Sequence, residues 1–215
     1  MITMKLDLKQ IEAYMESCMT NDAVHDAEHV RRVVKAALVI TDAEEGPVDR
    51  DVLTVACLLH DIGRKEELAD RTLCHARVGA EKARRYLLGN GYDESFAAHV
   101  ADCIRTHRFR SNDPPVSIEA KILFDADKLD VTGAIGIART LAYQGVLGTP
   151  LYVRNADGTI SDGREGRENS FIGEYHRKLK SIYDRFYTKK GAELARDRQA
   201  IAVVFCDALL HEINT

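Results

Sequence analysis

Five apolar residues in a row, Val55 to Leu59, run straight into His60 and Asp61 in the stretch VACLLHDIGRK. An apolar run of this kind asks to be buried, and it carries an imidazole and a carboxylate to the end of a buried segment. Leaving such groups unpaired there costs several kcal/mol. Two arrangements remove the cost. His60 can be a core histidine bonded to a carbonyl while Asp61 caps a helix, or the pair can bind a divalent metal, for which neutral imidazole and carboxylate are both good ligands. The pair alone leaves both open. Gly63 then lets the chain turn tightly, and Arg64 and Lys65 bring positive charge to the same place.

The rest of the chain has helical apolar spacing and no strand alternation, which predicts an all-α fold. Leu8 to Thr20 is expected as a helix, followed by a second starting between His25 and His29 and running to about Thr41. A third is capped by Asp49 or Asp51 and leads to His60. Residues 66–76 are too irregular to assign. Further helices are expected over Ala76–Leu88, from Asp93 or Ser95 to Thr106–His107, over Ile118–Asp130 and Ala134–Tyr143, and over Phe171–Phe186 and Ala192–Leu210. Asn155–Ser170, glycine-rich and charged, is expected as a mobile loop within a wider irregular stretch near 151–170. A length of 215 residues suits one domain spanning 1–215.

A net charge of −4 and a pI near 6.1 argue against a nucleic-acid binder. No long apolar span predicts a membrane crossing, and the N-terminus does not read as a signal peptide. Five scattered cysteines, an odd number with no CxxC, suggest reduced thiols in a cytoplasmic protein. Apolar faces on the terminal helices would permit a homodimer.

His25 and His29 are four apart and would share a helix face. Zinc proteases have this spacing, but with glutamate directly after the first histidine, where this chain has Asp26. The segment DADKLD sets Asp125, Asp127 and Asp130 among Ile122, Leu123, Phe124 and Leu129, so its acids need ligands or partners. His29, then His60–Asp61, then an aspartate of DADKLD lie on separate expected helices. Two His and two Asp converging there would form a mixed N/O site suited to Mn, Fe, Ni, Mg or Zn.

The ordered set HDAEHVRRVV, ACLLHDIGRK, DADKLDVTGAIGIART and HRKLKSIYDRFYT resembles the HD-domain superfamily of metal-dependent phosphohydrolases, in particular its small bacterial members. The resemblance implies a helical bundle and four metal ligands: His29, His60, Asp61 and Asp127. It gives Asp61 a second role in orienting the attacking water, places Lys128 against a substrate phosphate, and makes His25 a group at the site edge that contacts phosphate or protonates the leaving oxygen. His75, in an HxxxGA segment, and His107 fall where cyclic-dinucleotide phosphodiesterases of the superfamily place substrate or further-metal contacts. The chain lacks the GYP signature of those enzymes, which speaks against that substrate. Arg64, Lys65, Arg108 and Arg110 could gather around a phosphate, and Arg154, Arg164 and Arg167 of the loop could close over one. The implied activity is hydrolysis of a small phosphorylated substrate, a nucleotide, by metal-activated water, with (deoxy)nucleoside triphosphate pyrophosphohydrolysis as the specific expectation. Nucleoside monophosphate or phosphodiester hydrolysis, or a non-catalytic nucleotide-sensing module, are the alternatives.

Overall fold

The computed structural model describes residues 6–19, 26–108, 113–162 and 169–215. By its internal contacts the chain divides into two compact units, residues 1–127 and 128–215. The first holds α1 (Leu8–Cys18), α2 (Ala27–Thr41), α3 (Arg50–Leu59), α4 (Arg64–Ala69), α5 (His75–Gly89), α6 (Glu94–Thr106) and most of α7 (Ile118–Leu129). Aspartates begin several of these helices: Asp7, Asp26, Asp49 and Asp93 each accept a first-turn backbone N–H, satisfying donors that a helix start leaves free.

The centre of this unit is α3, which packs against α1, α2, α5 and α6. Val52, Leu53 and the whole run Val55–Leu59 are buried, so its apolar continuity reflects neighbours on every side. The run after His60 also stays inside: Ile62 is fully buried and Gly63 abuts α5. A Cβ on Gly63 would lie 2.3 Å from the His75 carbonyl oxygen and 2.6 Å from the Gly79 nitrogen. Gly63 has φ −93°, open to any residue, so close approach rather than a tight turn demands glycine there. Lys82 of α5 fastens the same turn, donating to the Ile62 carbonyl and to Glu66, both at 2.7 Å.

The second unit holds α8 (Gly133–Val146), α9 (Phe171–Arg177), a 3-10 helix (Leu179–Asp184) and α10 (Lys189–Asn214). The single helix expected over Phe171–Phe186 is interrupted at Lys178, whose φ −129° and ψ −59° leave helical geometry, and continues as the 3-10 turn. Between α8 and α9 the described residues contain one isolated antiparallel bridge, Arg154 with Ile160, closed by an Asp157–Thr159 turn and Gly158 at φ 84°. Arg164 and Arg167 lie outside the described residues. On α10, Ala195, Ala202 and Cys206 are buried, while Ile201, Val204 and Phe205 stay substantially exposed. The cysteines that are described form no disulfide. Among the described residues, no helix is long and apolar enough to cross a membrane.

Candidate metal centre

The centre is assembled from helix ends. His29 lies in the first turn of α2, where Asp26, in the place of the protease glutamate, accepts the His29 backbone N–H at 2.8 Å. His60 and His107 follow the last residues of α3 and α6 and do the same local task. The Nδ1 of His60 donates to the Cys57 carbonyl at 2.7 Å, and that of His107 to the Ile104 carbonyl at 2.6 Å. The His60 ring thus serves a carbonyl at the end of its helix, and the His107 ring joins its own backbone N–H, 3.4 Å away, on the Ile104 carbonyl. His75 opens α5, and its Nδ1 stands 2.9 Å from Glu67 Oε2. A carbonyl or carboxylate accepts only, so in all three rings Nδ1 carries a proton, and a ring in its neutral form keeps the lone pair on Nε2.

Those Nε2 atoms converge on Asp61. His29 and His60 Nε2 are each 3.6 Å from Asp61 Oδ2 and 3.3 Å from one another. Asp127 Oδ1 is 3.6 Å from His29 Nε2. On the other side, His75 and His107 Nε2 are each 3.7 Å from Asp61 Oδ1. Two donor groups result, each able to hold a metal ion: His29, His60 and Asp127, and Asp61, His75 and His107. Ligand bonds of about 2.1 Å arranged tetrahedrally put neighbouring donors roughly 3.4 Å apart, which is the spacing seen around His29. Asp61 Oδ2 is buried beside those imidazoles and accepts no hydrogen bond, as suits an oxygen whose natural partner is a cation. Of the readings left open for the pair, the carbonyl bond of a core histidine is present at His60 Nδ1, Asp61 caps neither α3 nor α4, and His60 Nε2 faces the donor cluster.

Charge is arranged to keep the donors in ligand form. Burial lowers the His60 pKa to about 4, and burial with neighbouring His107 and Arg64 lowers that of His75 to about 4, so both rings are neutral at pH 7. For Asp61, burial works upward, but the Arg64 guanidinium and then the surrounding imidazoles outweigh it and hold the carboxyl well below the usual carboxylate range. Arg64 Nε donates to Asp61 Oδ1 at 2.9 Å.

Of the sequence-derived site residues, His29, His60, Asp61, Asp127, His75, His107 and Arg64 come together. Arg108 joins through Glu67, 3.4 Å away. Lys65 is exposed on α4, and Lys128 is buried in the last turn of α7 beside Asp127. His25 and Arg110 lie outside the described residues. Asp125 is buried, and Asp130 pairs with Arg139 at 2.8 Å. Glu67, in the stretch too irregular to assign, is the participant that sequence reasoning missed. It accepts from His75 and lies 3.4 Å from both Arg64 and Arg108. Its sequence signal is faint: an acid three residues after Arg64 on what proves to be a short helix.

Histidines and an aspartate carried by five helices, α2, α3, α5, α6 and α7, thus stand around one carboxylate. The family model of the HD domain matches residues 26–132, and the chain belongs to the HD-domain phosphohydrolase family. It is 30% identical over 210 residues to the Bacillus subtilis protein YpgQ, covering 95% of this chain and 93% of that one. The crystal structure of YpgQ in complex with ADP superposes with a TM-score of 0.74 at 27% identity, over 96% of this chain and 98% of that one. A predicted HD superfamily hydrolase from an uncultured Thermotogales bacterium is 30% identical, with a TM-score of 0.66 over 95% and 92% of the two chains.

Proposed function

We propose that this chain hydrolyses nucleotides, with (deoxy)nucleoside triphosphates cleaved to monophosphate and pyrophosphate as the specific activity. The observation that carries the hydrolytic part is the gathering of His60 Nε2, Asp127 Oδ1 and the buried, unbonded Asp61 Oδ2 within 3.6 Å of His29 Nε2. The nucleotide part is supported by ADP in the complex of YpgQ.

His29, His60, Asp61 and Asp127 would hold one divalent ion, Mn, Ni, Fe, Mg or Zn. When bound, such an ion supplies hydroxide near neutral pH and draws charge from a phosphoryl oxygen. Asp61, fixed by Arg64, has the position and the charge to orient the attacking water. Arg64 and Arg108, both partly exposed, offer fixed guanidinium donors suited to phosphate oxygens. His75 and His107 present acceptors rather than donors in their neutral form, so they suit a water or a sugar hydroxyl. Lys128 and His25 keep the roles that the family resemblance gives them: contact with phosphate, and for His25 protonation of the leaving oxygen. Lys65, exposed, is assigned to outer substrate contact. A cytoplasmic setting belongs to the same proposal. So does pairing of two chains, for which Ile201, Val204 and Phe205 supply exposed apolar surface; light scattering decides it, a dimer mass supporting the pairing and a monomer mass removing it.

The test is a panel of nucleotides incubated with added manganese or nickel, with separate detection of phosphate and pyrophosphate. The expected result is pyrophosphate from triphosphates, reduced roughly 10²–10³-fold or more in Asp61→Ala with helical content unchanged. Phosphate from monophosphates alone would move the assignment to a phosphatase. Nucleotide binding with no product would make the chain a sensor.

A further inference from the structure

Asp61 Oδ1 is shared by three groups. Arg64 Nε donates to it at 2.9 Å, while His75 and His107 Nε2 stand 3.7 Å away. The second donor group, Asp61, His75 and His107, is therefore complete in its ligands, yet a cation already lies on the oxygen that an ion held there would need. Arg64 is itself tethered. Its NH1 lies 3.4 Å from Glu67 Oε2, the same oxygen that receives His75 Nδ1 at 2.9 Å, and Arg108 approaches Glu67 Oε1 at 3.4 Å. Two carboxylates, Asp61 and Glu67, thus face two guanidiniums, and the cluster is balanced without another positive charge. A divalent ion entering beside Arg64 would meet like charge at short range in a buried setting, where screening is weak.

We infer that Arg64 sets the metal count of the centre at one ion per chain, by holding Asp61 Oδ1 against a second ion that His75 and His107 are otherwise placed to bind. The inference rests on the metal centre proposed above. Glu67 is the anchor of this arrangement: it keeps Arg64 over Asp61 and fixes the tautomer that turns the His75 lone pair inward. Arg64 is a positioning residue in this respect, and removing its charge opens a second site rather than merely weakening the first.

The experiment counts ions by elemental analysis and by calorimetric titration of the metal-stripped full chain with manganese. Wild type is expected to take one ion per chain, Arg64→Ala two, and Arg64→Ala/His75→Ala one. Magnetic resonance of the manganese forms adds a readout independent of turnover, with the exchange-coupled signal of an ion pair present only in Arg64→Ala. Should that variant fold poorly, Arg64→Met keeps the length of the side chain without its charge and is expected to take two ions as well. Two ions in wild type, or one in both charge-removed variants, would overturn the inference and leave the first site standing. No ion in wild type would overturn the first site, and the inference with it.

Discussion

Asp61 shows how a single side chain can be legible in the sequence while its surroundings are not. An apolar run ending in His60–Asp61 marks the pair for a compensated burial, and the order of His29, His60, Asp61 and Asp127 supplies the compensation. Glu67 could not be found in the same way, because its role depends on α4 lying beside His75, a contact between residues eight apart in the chain through a turn that no periodicity marks. The carbonyls of Cys57 and Ile104 are backbone atoms and carry no residue-type signal at all. The neutral rings have a consequence for stability. His60 and His75 have folded-state pKa values lowered from 6.5 to about 4, so between those pH values the unfolded chain binds protons that the folded chain does not. Stability of the metal-free protein is then full above pH 6.5 and declines as the pH falls from 6.5 toward 4. For the fully buried His60, about 1.4 kcal/mol per pKa unit makes this roughly 3 kcal/mol. Chemical denaturation across this range checks it; a flat profile would mean that the rings take up protons in the folded chain as they do in the unfolded one.

At the level of elements, the glycines Gly63 and Gly79 do what the donor residues cannot do for themselves. A Cβ built on Gly79 would lie 3.3 Å from the His60 carbonyl oxygen, and Gly63 sits against the first turn of α5. This close seating of the turn on α5 brings His75 beside Asp61. Gly63→Ala should push α5 outward at a cost of about 3 kcal/mol, the upper end for overpacking, or more, measured as a lowered denaturation midpoint. A midpoint within error of wild type would show that α5 is free to yield. Helix positions in the first unit follow closely from spacing and aspartate caps, since α2, α3, α5 and α6 begin and end within a few residues of expectation. The short α4 was not legible, because six residues give no apolar period and none of them is buried. The interruption at Lys178 was hidden for the opposite reason: apolar spacing runs through Phe171–Phe186 while the backbone breaks beneath it.

At the scale of the molecule, family membership and the all-α fold were readable because HD-type residues recur in a fixed order on separate helices. Substrate choice was not, since no motif in the chain reads a base or a sugar. The cysteines add little: Cys57, Cys103 and Cys206 are buried, and burial pushes the Cys103 thiol up to about 12, so they behave as small apolar groups. Loss of either imidazole from the first donor group should be specific. His60→Ala is expected to abolish metal binding while the helices persist, measured by elemental analysis and circular dichroism together. The most direct measurement is therefore the metal content of the wild-type chain purified without added metal, set beside His60→Ala. One transition-metal ion per wild-type chain and none in the variant is the predicted result. No ion in the wild type, even after soaking with manganese or nickel, would contradict the central claim that this cluster is a metal centre.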